Sequence, residues 1–311
     1  MTLLYSDPLF LTHETGAHPE NPNRLRAITA RLAKSQLGDK CRRGQYQPLT
    51  EAAITAIHAG GQLVRVKQLT EHGGGRIDSD TVVSKNSFAV ALAAAGACVA
   101  AVDAVLKGDD VQALCLVRPP GHHATLTQSM GFCLFNNIAL AAHHALTNHQ
   151  LNRLLIVDWD VHHGNGTQDI FYEDPRVLFY SIHRYGHGFY PGSGAAGETG
   201  RGRGLGHTLN MPIRYGTSRH DYRSSFLGAL EKAADHIKPE LVLISAGFDA
   251  HARDPIGSLG LETEDFITLT TEVIEVAKTH AKGRMVSCLE GGYDLSALAE
   301  SVEAHLARLL Q

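Results

Sequence analysis

Directly after the apolar run Leu154–Val157 the chain reads Asp158-Trp-Asp160-Val-His162-His163-Gly-Asn165-Gly166. Alternate residues of an extended strand share a face, so Asp158, Asp160 and His162 are expected to project together if the extended geometry persists through them. A carboxylate and an imidazole brought together this way are ligands for a borderline-soft divalent metal. The boundary between a strand and a glycine loop is also where an α/β fold places its ligands.

Other strand ends carry matching chemistry. Ala113–Val117 is followed by Arg118-Pro-Pro-Gly121-His122-His123-Ala, a proline turn that delivers two adjacent imidazoles. Leu241–Ile244 is followed by Ser-Ala-Gly247-Phe-Asp249, a carboxylate behind a glycine, and Met285–Leu289 by Glu290-Gly-Gly-Tyr293, a tyrosine on a glycine hinge. Asp160, His162 and Asp249 would give a metal oxygen and nitrogen ligands while leaving room for water and substrate, which is the logic of a catalytic site. Zinc is the first expectation, and iron, cobalt and manganese accept similar ligands. His122 and His123 can supply base and acid, with Asp158 and Asn165 available to fix their tautomers. Tyr293 can donate its hydroxyl to a carbonyl oxygen that gains charge.

To bring these ends together the chain needs parallel strands. Strand-length apolar runs at Leu3–Tyr5, Ala113–Val117, Leu154–Val157, Val177–Ile182, Thr208–Met211, Leu241–Ile244 and Met285–Leu289 alternate with helix-period segments at Arg24–Leu37, Glu51–Ile57, Gln62–Thr70, Ser87–Leu106, Asn136–Asn148, Tyr222–Ile237, Glu264–Ala281 and Leu295–Leu310. That alternation predicts an open, doubly wound, mostly parallel sheet with helices on both faces. With no internal repeat or linker, residues 1–311 are expected to form one catalytic domain. The glycine-dense stretch from Gly186 to Gly206 is the longest irregular segment. Within it Gly192-Ser-Gly194-Ala-Ala-Gly197 spells a dinucleotide fingerprint, but without the preceding strand and following helix that give the motif its meaning.

The 311 residues carry a net charge of −4 and 43% hydrophobic residues. No basic block suggests nucleic acid as a direct ligand. No leader is evident, no segment is expected to reach transmembrane length, and a soluble, cytoplasmic protein is expected. The 5 cysteines show no Cys-x-x-Cys pair and read as reduced core residues. Among the 19 histidines, His143-His144 is assigned to helix surface and packing. His13, His58, His149, His236 and His280 show no converging partner. The proline-braced His18-Pro-Glu20-Asn-Pro22-Asn-Arg24 fixes where His18 and Arg24 point, at a site mouth or internal cavity.

Together with Gly131-Phe-Cys-Leu-Phe-Asn-Asn137 and Phe189-Tyr-Pro-Gly192, these motifs, in order from residue 18 to 293, resemble the zinc-dependent histone deacetylases of the arginase/deacetylase superfamily. Asn165 and the Glu-Gly-Gly-Tyr wording are similar to class II members. The resemblance implies an eight-stranded parallel sheet and zinc on Asp160, His162 and Asp249, activating water for attack on an acetyl or short acyl amide of lysine. It further implies Tyr293 as the carbonyl donor, His123 as the main base and acid with His122 electrostatic, and Asp158 and Asn165 as their buttresses. Gly131, Phe132, Tyr190 and Ile256 match the substrate tunnel; relatives usually have Phe where Tyr190 stands, and a hydroxyl there would alter acyl preference. A structural potassium ion is implied at Asp158, Asp160, His162 and Ser181. A more peripheral cation is implied at the Phe171 and Val177 carbonyls near Tyr222. Polyamine-selective relatives carry an acidic residue where this chain has Ile256, so small acetylated amines are the alternative substrates. An acyl-lysine binding module with little turnover is the alternative of another class. An arginase-like dimetal site is disfavoured by Val161 and His163. The sequence leaves the oligomeric state unknown.

Overall fold

The computed structural model describes residues 2–311. Its strands are β1 (Leu3–Tyr5), β2 (Arg42–Arg43), β3 (Gly74–Arg76), β4 (Val82–Ser84), β5 (Gln112–Cys115), β6 (Leu154–Asp158), β7 (Val177–Arg184), β8 (Thr208–Ile213), β9 (Leu241–Ala246) and β10 (Met285–Leu289). Eight of them form one sheet in the order β2-β1-β5-β10-β9-β6-β7-β8. Every pairing in it is parallel. All the strand-length apolar runs read from the sequence lie in this sheet. The remaining strand, β2, is an exposed arginine pair that carries no apolar signal. The small antiparallel β3–β4 hairpin, three residues on each side, is likewise too short to show a period.

The helices are α1 (Asn23–Lys34), α2 (Glu51–Thr55), α3 (Gly60–Glu71), α4 (Ser87–Lys107), α5 (Asn137–Thr147), α6 (Asn165–Phe171), α7 (Arg219–Ile237), α8 (Thr263–Ala281) and α9 (Leu295–Leu309). α4 packs on α5, whereas α1, α9, α8 and α7 pack in series. Successive residues of β10 show that these layers cover opposite faces: Cys288 meets Cys98 of α4, and Ser287 meets His305 of α9. α6 is not among the helices read from the sequence; at seven residues, with a glycine inside, it is too short for helical periodicity.

One expectation is corrected by α4. Its 21 residues are long and apolar enough to cross a bilayer by composition. In the fold it is a core helix, its Val90, Ala94, Ala97, Cys98 and Val102 buried in the cluster that includes β1, β5 and β10. The central strand β6 is buried along its whole length, which is why its sequence is continuously apolar rather than alternating. All five cysteines are free thiols.

Candidate metal and catalytic site

Strands β5, β10, β9 and β6 are consecutive in the sheet, and each ends in one of the motif clusters. Residues far apart in sequence therefore meet at one carboxyl edge. Beyond Asp158 the chain does not stay extended. The Asp160 amide donates to Asp158 Oδ1 (3.1 Å) and the His162 amide donates to Asp160 Oδ1 (2.9 Å), so each carboxylate caps the backbone two residues on. The premise of strand alternation past Asp158 is thus corrected: a run of side-chain-capped turns, not a shared strand face, aims Asp160 and His162.

His162 Nδ1 lies 3.1 Å from Asp160 Oδ1 and 3.1 Å from Asp249 Oδ2. Ligand atoms around a tetrahedral ion with bonds of about 2.0–2.1 Å sit about 3.3 Å apart, so this donor set and spacing fit zinc. The other carboxylate oxygens are held by backbone: Gly291 N donates to Asp160 Oδ2 (2.8 Å) and Val161 N to Asp249 Oδ1 (2.8 Å). The close approach needs glycine at 291, where a Cβ would stand 2.2 Å from Asp249 Oδ2. Burial and the Asp160 charge beside it push the Asp249 carboxyl up to about 7, and a cation would relieve that repulsion. Both Asp158 oxygens already have a partner, Oδ1 in the Asp160 amide and Oδ2 in His122 Nδ1 at 3.0 Å, so Asp158 stands beside the triad rather than in it.

The two imidazoles have unlike partners. His122 is set against the Asp158 carboxylate, while His123 Nδ1 lies 2.7 Å from the neutral Asn165 Oδ1. Burial pulls His122 down, but Asp158 and Asp160 outweigh it and hold the ring up at about 10. Burial, then the neighbouring His122 and His162, drive His123 well below the usual histidine range.

Around this centre Tyr190 stands edge-on to His123 at 5.1 Å, and Phe132 stands edge-on to Tyr293 at 5.8 Å. Phe132 has φ 68°, a conformation strained for a side chain of this size, with its amide donating to Thr81 Oγ1 (3.2 Å). Gly131 lets His123 and the Tyr190 hydroxyl approach its backbone. Burial holds the Tyr293 hydroxyl protonated as a donor. Ile256 lies half-buried on the loop after Asp249, its amide donating to Asp254 Oδ1 (2.9 Å). The two readings for the proline-braced segment divide. His18 meets Phe132 at 4.6 Å near the surface, whereas Arg24 is fully buried, donating to the Gly292 carbonyl (2.7 Å) behind the Tyr293 ring. Ser181 pairs with Asp158 across β6 and β7. Its hydroxyl contacts His183 Nδ1 at 2.9 Å.

Sequence reasoning missed several supports. Glu290 accepts from the amides of Gly121 (2.7 Å) and His122 (3.2 Å), fixing the imidazole turn; its place right after β10 is the signal that marks it. Buried Glu20 joins Arg118 and Arg24, and Asp254 accepts from the Tyr293 amide at 2.7 Å. Phe189 stacks on the His162 ring at 5.0 Å. The glycine fingerprint is a loop whose Gly194 and Ala195 amides donate to Glu198, followed by a single 3-10 turn at Gly202–Gly204 and β8 rather than by an α-helix.

Among known proteins, the histone deacetylase domain matches residues 18–309 of this chain. The chain belongs to the histone deacetylase family. It is 42% identical to human "Polyamine deacetylase HDAC10" over 91% of this chain and 43% of the relative. It is 38% identical to "Histone deacetylase-like amidohydrolase" of Pseudomonas aeruginosa, over 89% of this chain and 72% of the relative. Among solved structures, the HDA15 HD domain superposes with a TM-score of 0.93 at 35% identity, covering 99% of this chain and 88% of that one. The eight-stranded parallel sheet is accordingly the arginase/deacetylase fold of this deacetylase family.

Proposed function

We propose that this chain is a zinc-dependent amidohydrolase that removes acetyl or another short acyl group from an acyl-lysine side chain. The observation that carries the reading is the Asp160, His162 and Asp249 triad, spaced for a tetrahedral ion, beside two imidazoles with different partners. Zinc held there would supply Lewis-acid polarisation of the amide carbonyl and a water of lowered pKa. His123, with Nδ1–H given to Asn165, keeps Nε2 free to take a proton from the attacking water and return it to the leaving amine. His122, facing a carboxylate, stays cationic and stabilises developing negative charge. Tyr293 donates to the carbonyl oxygen, its ring held by Arg24 and its amide by Asp254. Phe132 and Tyr190 flank the acyl-lysine stem. A potassium ion at Asp158, Asp160, His162 and Ser181 would brace the turns that follow β6.

Rates on an acetyl-lysine peptide and on acetylputrescine, with metal content measured on the same sample, test the reading. Peptide turnover is expected to vanish on chelation and to fall about 100-fold or more in Tyr293→Phe. Unchanged turnover in that variant would remove Tyr293 from the mechanism. The likeness to a polyamine deacetylase favours small acetylated amines as a second reading. The half-buried, apolar Ile256 opposes it, because a cationic polyamine tail finds no counter-charge there; a large preference for acetylputrescine would reverse this ranking. Tight peptide binding without product at saturating zinc would instead support a binding module.

A further inference from the structure

Helix α5 starts at Asn137, near the catalytic edge, and its C-terminus at Thr147 leads to the start of β6 at the opposite edge of the sheet. There His144 in its last turn and His149 just beyond it converge on Asp103 of α4, although the sequence assigns these histidines to packing and to no partner. Asp103 Oδ1 lies 2.7 Å from His144 Nε2 and 2.6 Å from His149 Nε2. The two rings meet edge to face at 5.5 Å, so both nitrogens aim at one point. The side chains are 33%, 21% and 23% exposed respectively, open enough for an ion to enter from solvent. By contrast, the Cys98, Cys115 and Cys288 cluster is fully buried.

We propose that Asp103, His144 and His149 form a second metal site, separate from the catalytic centre, that binds a divalent transition ion of the zinc class and clamps α4 to α5. Two imidazoles disfavour magnesium and calcium, which want oxygen, and the absence of thiolate from the set disfavours soft monovalent copper. One carboxylate and two neutral imidazoles match zinc, nickel or divalent copper. Binding requires the ligand atoms to spread from 2.6–2.7 Å to about 3.3 Å, a movement of roughly 0.6–0.7 Å that partly exposed side chains can supply. Without an ion the same groups would form a hydrogen-bonded clamp, so the proposal turns on stoichiometry.

The test is equilibrium dialysis of the zinc-loaded enzyme against added zinc, with bound metal counted by mass spectrometry. The wild type is expected to take up one zinc per chain beyond the active-site ion, and Asp103→Asn/His149→Gln none, with turnover on the acyl-lysine peptide unchanged. Added zinc should raise the melting temperature of the zinc-loaded wild type but not of the variant. Should the double variant misfold, imidazole nitrogen resonances of the wild type decide the matter: the zinc-loaded enzyme must show shifts at His144 and His149 on further zinc addition. Uptake of only the active-site ion, equal uptake by wild type and variant, or unshifted His144 and His149 resonances would overturn the proposal.

Discussion

The Tyr190 hydroxyl is buried beside His123 and Gly131 with no hydrogen-bonding partner among the described residues. Leaving such a group unpaired costs about 1–3 kcal/mol. It is therefore a donor waiting for an acceptor on whatever enters the site. Tyr190→Phe is expected to stabilise the metal-free protein by about 1 kcal/mol and to leave acetyl-lysine hydrolysis within about threefold. For an acyl group bearing a hydroxyl or carbonyl beyond the amide, kcat/KM should fall about tenfold, the value of one hydrogen bond. Urea unfolding and a kinetic panel of acyl peptides check both halves. An equal loss on acetyl and polar acyl groups would mean that the ring, not the hydroxyl, matters. At this scale the sequence was informative wherever chemistry determines residue type. Asp160, His162, Asp249 and the imidazole pair could be named because no bland role explains them together. Glu20, Glu290 and Asp254 could not, because a lone acidic residue reads as solvated until its burial is seen.

At the scale of elements, the site exists because β5, β10, β9 and β6 are neighbours and end at the same edge. Long apolar strands announce themselves, and their ends locate the loops that matter. The short pieces stayed hidden: β2 has only two residues and α6 only seven, fewer than a pattern needs. The course of the chain past Asp158 was also illegible, since side-chain capping overrides alternation there. Glycines set the tolerance of these loops. In Gly291→Ala the new Cβ would stand 2.2 Å from Asp249 Oδ2 and 2.6 Å from Asp160 Oδ2, so both carboxylates must move. Zinc affinity, measured by competition with a chelator, should drop at least about tenfold, the low end for disturbed ligand support. An unchanged affinity would show that the loop after β10 shifts freely and that glycine is not required there.

Over the whole molecule, stability should depend on histidines that the fold keeps neutral. His58 is locked from both sides: its Nδ1–H donates to the Thr125 carbonyl (2.8 Å), and Nε2 accepts from the Asn136 amide (2.9 Å) at the start of α5. A proton on Nε2 would break the second bond and loosen the segment that leads from the catalytic loops into that helix. Burial pulls His58 down to about 4 and His305, between α8, α9 and β10, down to about 3. Below a pH of about 6.5 the unfolded chain takes up these protons while the folded chain does not. Stability is therefore complete above that value and is lost as the pH falls toward 4, by about 1.4 kcal/mol per pH unit for each such group. Metal-free protein isolates this effect from zinc release. In urea unfolding at a series of pH values between neutrality and about 5, His58→Gln is expected to be less stable than wild type at neutral pH yet to lose less on acidification. The slope should be shallower by about one proton, the linkage signature of a single titrating group. Parallel curves would mean that His58 already takes up its proton in the folded state, and would remove it as the link between acidification and the start of α5.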